Sequence, residues 1–254
     1  LKVMEHLALA HGGAYKTIHK IQPEARVGMA VQVRGFEAAN KFNPIDRLLA
    51  NFMHRSFNEF HIEAAHSGQL NLIFTRKFYP ELANTQDWIG LQYYTTDQVK
   101  INLAKADEMF LDMGFKEDAE VSPTGFIALE PEKFFDLIKW ASTFNKPMII
   151  TENGVEDPEG SFRPRYLVSH LYQVWRAIND GARIKGYFHW SLTDNWEWER
   201  GWTQRFGLWG LDVETQDRFR RPSVEIYEQI CKNNSLTEDQ LNEFAQEWYS
   251  EDQV

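Results

Sequence analysis

Glu152 ends the apolar run Met148-Ile149-Ile150-Thr151 and is followed at once by Asn153 and Gly154. A carboxylate at the end of such a strand emerges at the C-terminal mouth of a β/α structure, where active sites form, and is a candidate nucleophile. On position alone, a carboxylate that caps the next loop or pairs with an arginine is an equally good reading. Tyr94 ends a second β-like run, Trp88 to Thr95, so its phenol could reach the same mouth and keep a carboxylate ionised and oriented by a hydrogen bond. A lone strand-end tyrosine is more often core. The combination shifts the balance, because Trp190, Trp196, Trp198, Trp202 and Trp209, five of the nine tryptophans, fall between Tyr187 and Trp209 among Asp194, Asn195, Glu197 and Arg205. Sugars present apolar C–H faces rimmed by hydroxyls, and binding them needs flat aromatic platforms beside hydrogen-bonding carboxylates. Core packing needs no charges among the indoles.

The elements that must carry these residues alternate. Met4, Leu7, Ala8, His11, Tyr15 and Ile18 have helical spacing and precede the β-rich run Arg26 to Val33. Asn43 and Pro44 cap a second helix with Ile45, Leu48, Leu49 and Phe52, before the Trp88 to Thr95 strand. Phe134, Leu137, Ile138 and Ala141 lead to the Met148 to Glu152 strand; Leu167, Leu171, Val174 and Ile178, closed by Gly181, lead to Ile184 to Trp190. Strands alternating with helices imply a parallel sheet with crossover helices. Length alone suggests a complete eight-stranded barrel of about 250 residues. Only four inner strands are found, however, and Thr96 to Leu129 reads as a loop insertion, so the expected architecture is half a barrel with two open parallel edges. Ser235 and Glu238 have the spacing of a capping box opening a last helix, with Leu241, Phe244 and Trp248 on one face. Residues 1–234 are therefore read as the barrel half and 235–254 as an acidic helical extension.

Composition narrows the partners. The chain has 254 residues, 43% hydrophobic and 14% aromatic, enough for a large core. With 27 basic against 37 acidic residues it lacks the basic surface that nucleic acid requires. No apolar run is long enough for a membrane span. The single cysteine, Cys231, permits no intrachain disulfide and reads as structural; a cytoplasmic location is the expectation. The eight histidines form no HExxH, Gly12 and Gly13 lack a phosphate-binding frame, and no serine lies in a GxSxG elbow, so no metal or organic cofactor is expected.

At these residues the sequence resembles glycoside hydrolase family 1, the β-glucosidase and β-galactosidase family built on a (β/α)8 TIM barrel. Ile150-Thr151-Glu152-Asn153-Gly154 looks like the family's nucleophile motif, and Trp190 to Trp198 (WSLTDNWEW) looks like its sugar-binding signature. Arg205-Phe206-Gly207-Leu208 follows in the expected order. The resemblance implies that Glu152 forms the covalent glycosyl-enzyme, that Tyr94 hydrogen-bonds it, and that Trp190 floors the nonreducing sugar site. It further implies that Glu197 and Trp198 hold the outer hydroxyls and that Phe206 lies near the primary alcohol. Members acting on 6-phosphosugars carry Ser, Lys and Tyr in this region, so Glu197 and Phe206 favour an unphosphorylated substrate. Gln92 stands where the family has Asn before the paired tyrosines, and Phe126 where the aglycone entrance usually has Trp; both bear on fine specificity.

The resemblance runs from the opening helix to about Ile230 and corresponds to the second half of a family member, four βα units. Its first half, with the strand-end Asn-Glu-Pro that bears the acid/base, has no counterpart here; Asn58-Glu59 lacks the proline and falls in a helical stretch. The expected function is retaining hydrolysis of terminal, unphosphorylated β-D-glucosides or β-galactosides, with a β-linked oligosaccharide or glycoside as partner. The acid/base is expected from an N-terminal half barrel, on a separate chain or a missing segment. The alternatives are an inactive fragment or subunit of a split barrel, or a sugar-binding module without catalysis.

Overall fold

The computed structural model describes residues 2–71, 75–108 and 110–249. In chain order the elements are α1 (Lys2–Ile21), β1 (Gly28–Ala38), α2 (Pro44–His54), a π-helical turn (Arg55–Glu59), α3 (Phe60–Ser67), β2 (Gln69–Asn71), β3 (Arg76–Phe78), β4 (Trp88–Ile101) and β5 (Leu111–Gly114). Then follow α4 (Pro131–Ser142), β6 (Met148–Asn153), α5 (Arg163–Asn179), β7 (Ile184–His189), β8 (Trp209–Leu211), β9 (Arg218–Arg220), α6 (Pro222–Asn233) and α7 (Glu238–Phe244). The four expected inner strands pair in parallel in the order β1-β4-β6-β7, with β5 antiparallel on the far part of β4. Strand-then-helix units in sequential order are the arrangement expected of half a (β/α)8 barrel, with β1 and β7 as the outer strands of the sheet.

The helices start where the chain supplies proline and a cap. Asn43 Oδ1 accepts the Ile45 amide at 3.0 Å with Pro44 at the first helical position, and prolines also open α4, α5 and α6. One face of the sheet is sealed against α3, α4 and α5 by Val31, Val33, Ile89, Leu91, Tyr93, Met148 and Ile150, packed on Ile62, Phe134, Leu137, Ile138 and Val174. By the two-residue period of a strand, Gln32, Arg34, Gln92 and Tyr94 then point to the opposite face.

Three local expectations are corrected. The last helix is capped by Thr237 and Gln240 rather than by Ser235 and Glu238: Thr237 Oγ1 accepts the Gln240 amide at 3.2 Å and Gln240 Oε1 accepts the Thr237 amide at 3.0 Å. The helix α7 ends at Phe244, so Trp248 lies beyond it; residues 250–254 of the proposed extension are outside the described residues. Cys231, read as structural, is exposed on α6. Ile45 and Leu48 of the α2 stripe are exposed, because α2 turns Ala50, with Leu49 and Met53, towards Val99 and Leu111. Asn58 lies in the π-turn, fully buried, where its amide brackets the Arg34 backbone at 2.9 and 2.8 Å, a structural task.

The long segment after β7 is held by one buried ion pair. Asp194 accepts both terminal nitrogens of Arg221 at 2.9 Å and the amides of Gly207 at 2.8 Å and Leu211 at 3.2 Å. Both side chains are almost wholly out of solvent. Removing one member leaves an uncompensated buried charge, so Asp194→Ala should cost about 3–5 kcal/mol of unfolding free energy in a denaturant titration. A loss below about 1 kcal/mol would show that the pair is not what fixes this segment.

Candidate active site

A β-bulge aims the central carboxylate. Leu91 pairs with Ile150, but the next pair is Gln92 with Glu152, so Thr151 is an extra residue in β6. Strict alternation with Met148 and Ile150 would send Glu152 into the helix-facing core; the inserted residue turns it to the face of Gln92 and Tyr94. There Gln92 Nε2 donates to Glu152 Oε1 at 2.7 Å and the Tyr94 hydroxyl donates to Oε2 at 2.5 Å. The following Asn153 is fully buried and locks the strand end, donating to the Tyr93 carbonyl at 2.8 Å and the Tyr166 oxygen at 3.0 Å, and accepting from the Tyr187 hydroxyl at 2.8 Å. Tyr166 donates in turn to the Tyr94 carbonyl at 2.7 Å. At Gly154 a Cβ would collide with the Trp190 carbonyl, so glycine is what lets the Trp190 backbone close on β6.

A cleft of about 630 Å³ opens over this carboxylate, and all eight residues singled out from the sequence line it: Glu152, Tyr94, Gln92, Trp190, Glu197, Trp198, Phe206 and Phe126. They do not contribute alike. Phe206 is buried, with its ring edge-on to Tyr94 at 6.1 Å between centroids. Trp190 donates its indole N–H to Glu197 at 3.3 Å. Trp198, at φ +48°, stands 85% exposed at the rim, and Phe126 is partly exposed under the Arg200 guanidinium, which lies 5.2 Å from its ring centroid.

Burial dominates the electrostatics. It pushes the Glu152 carboxyl above the ordinary glutamate range, an effect opposed by the Tyr94 hydrogen bond. Glu197 is likewise raised, chiefly by burial, with the Trp190 N–H opposing. Tyr94 is raised by burial and by the neighbouring Glu152 charge, so its phenol stays protonated and acts only as a donor. A half-buried carboxylate between two fixed donors, facing aromatic rings, is suited to attack on an electrophilic carbon held against those rings.

Gln32, Arg34, Thr95, Ile127, Glu199, Arg200 and Gln204 complete the lining and were not anticipated. Gln32 and Arg34 could have been read from the two-residue alternation of β1 against Val31 and Val33; Glu199 and Arg200 lie in the single 3-10 turn Trp198–Arg200 and Gln204 in irregular backbone, where no strand or helix period points to the cleft. Arg34 is held by Asp97, through Nε and, at 2.9 Å, through a terminal nitrogen.

Comparison with known proteins identifies the family and the fold. Residues 1–236 match the family described as Glycosyl hydrolase family 1. The β-galactosidase of Pyrococcus woesei is 33% identical over 268 residues, covering 91% of this chain and 51% of that protein. The 1,4-β-D-glucan glucohydrolase of Thermotoga neapolitana is 31% identical, covering 92% of this chain and 57% of its own length. Among solved structures, a β-glycosidase from Pyrococcus horikoshii superposes with a TM-score of 0.88 at 28% identity, covering 100% of this chain and 57% of that one. A Thermotoga maritima β-glucosidase in complex with glucoimidazole does so at 0.80 and 28%, covering 91% and 56%. The chain thus spans a little over half the length of the relatives it matches, as four βα units of a TIM-barrel glycosidase should. It belongs to glycosyl hydrolase family 1.

Proposed function

We propose that this chain supplies the nucleophile and the nonreducing-sugar site of a retaining β-glycosidase acting on unphosphorylated β-D-glucosides or β-galactosides. The observation that carries the proposal is the Glu152 carboxylate, gripped by Gln92 and Tyr94 at the floor of an aromatic cleft. In the first step a Glu152 oxygen attacks the anomeric carbon, the bond to the leaving oxygen breaks, and that oxygen takes a proton from an acid. In the second, water deprotonated by the same group attacks the anomeric carbon and frees Glu152. Such an acid sits roughly 5 to 5.5 Å from the nucleophile. We assign it to the segment that completes the barrel beside β1 or β7, whether on the same polypeptide or another. Trp190 offers the sugar an apolar floor, and Glu197 and Trp198 face its outer hydroxyls. A phosphate there would meet the negative charge of Glu197, which favours the unphosphorylated sugar.

Glu152→Gln keeps the shape and removes the nucleophile. In the barrel-complete enzyme it should lower kcat for a nitrophenyl β-glucoside by about 10⁴-fold or more. A loss of less than about tenfold would remove Glu152 from the reaction.

Tyr94→Phe deletes the hydrogen bond that lowers the Glu152 pKa and leaves the burial that raises it. The nucleophile must be ionised, and with a higher pKa it is protonated already at higher pH. The acid limb of the kcat/KM profile should therefore move to higher pH in the variant. An unmoved or downward-shifted limb would show that Tyr94 does not hold Glu152 ionised.

A further inference from the structure

The wall of the cleft that carries Phe126 and Ile127 is a hairpin with no helix or long strand of its own. Val121 bridges Ala128, the Ser122 amide donates to the Ile127 carbonyl at 2.8 Å, the Leu129 amide to the Glu120 carbonyl at 2.9 Å, and Gly125 turns at φ +72°. From inside, the buried Glu156 carboxylate takes the hydroxyls of Ser122 and Thr124 and the Phe126 amide on a single oxygen. From outside, the support comes from the C-terminal segment. Arg165 of α5 donates to Glu120 at 3.1 Å and pairs with Glu247 at 2.8 Å, and its guanidinium lies 5.0 Å over the Trp248 ring. Trp248 itself packs on the cluster of Ile127, Leu129, Val155, Tyr166 and Phe206. Two of these residues line the cleft, and Tyr166 carries the hydrogen bond to the Tyr94 carbonyl. The segment is seated on α5 by Leu241 and Ala245 against Val168 and Tyr172.

We propose that residues 238–249, which lie beyond the family match at 1–236, form a strap that positions the 120–129 hairpin and thereby the Phe126 wall where the aglycone leaves the cleft. Trp248 and Arg165 are its positioning residues; neither lines the cleft. The ion pairs contribute little by themselves, with Glu120 about half and Glu247 mostly exposed to solvent. The indole is the principal contact, since it covers apolar surface on the cluster beneath the wall and is itself covered by Arg165. The consequence for substrate rests on the proposed glycosidase activity; the mechanical coupling does not.

Hydrogen exchange on the full chain tests the coupling without any turnover. In Trp248→Ala the amides of Ser122, Ile127 and Leu129 should exchange at least about tenfold faster while those of β6 keep their rates, and Trp248→Phe should restore the hairpin. Arg165→Gln should give a smaller acceleration at the same amides. Hairpin rates within about twofold of the parent in Trp248→Ala, or an equal acceleration of β6 that signals general loss of stability, would overturn the strap. In the barrel-complete enzyme, Trp248→Ala should raise KM for an aryl β-glucoside by about threefold or more with kcat kept, and leave KM for β-glucosyl fluoride, which has no aglycone, unchanged. An equal rise for both would show that the strap does not act through the aglycone wall. If the exchange result holds and no glycoside is turned over, the strap stands and the glycosidase proposal falls.

Discussion

Two hydrogen bonds to one carboxylate organise this structure. Gln92 and Tyr94 occupy alternate positions on β4, and each takes one oxygen of Glu152 across the parallel β4–β6 pair. That arrangement requires the bulge at Thr151, without which Glu152 would sit with Met148 and Ile150 in the helix-facing core. It also requires the strand end to be immobile, which Asn153 secures by tying β6 to the Tyr93 carbonyl, to Tyr166 of α5 and to Tyr187 of β7. The core under the sheet, the Asn153 knot and the buried Asp194–Arg221 pair thus serve one geometric end, a carboxylate and a ring of aromatic side chains held on rigid elements.

The same geometry sets the electrostatic compromise. A carboxylate left in bulk water would be fully ionised but strongly solvated and poorly placed; one buried without partners would be protonated. Glu152 lies between these limits. Burial raises its pKa and Tyr94 draws it back, while Tyr94 stays a donor because its own ionisation is opposed by burial and by Glu152. Glu197 repeats the pattern on the other side of the cleft with the Trp190 indole as donor. Each carboxylate is therefore matched to a neutral aromatic donor instead of a cation, which leaves the negative charge available to a substrate.

Much of this was legible from residue order because regular elements announce themselves. The four inner strands, the Pro44-opened helix and the Gly181 stop follow from periodicity and capping chemistry, and the eight anticipated side chains converge on one cleft. What was hidden was local. The bulge that redirects Glu152 leaves no mark in the apolar run Met148 to Thr151, since a strand read by strict alternation predicts the wrong face. The capping box was placed two residues early, because Ser235 with Glu238 and Thr237 with Gln240 have the same spacing and only the backbone at Thr237 decides between them. The alternation of β1 places Arg34 on the cleft face but not its ion pair with Asp97, 63 positions away, and Arg200 lies in one 3-10 turn too short to show a period.

The division of labour within the chain is likewise physical. Residues 28–211 provide the sheet and the cleft, whereas the segment after α6 packs on α5 and contacts the cluster beneath the cleft wall through Trp248, which lies under the Arg165 guanidinium of α5. The central claim remains chemical and concerns Glu152. A 2-deoxy-2-fluoro β-glucoside with a good leaving group, incubated with the barrel-complete enzyme and followed by peptide mapping, examines it most directly, because the fluorine slows breakdown of the covalent glycosyl-enzyme. The label should be found on the peptide containing Glu152 and on that residue. A label on any other side chain would contradict the assignment of Glu152 as the nucleophile.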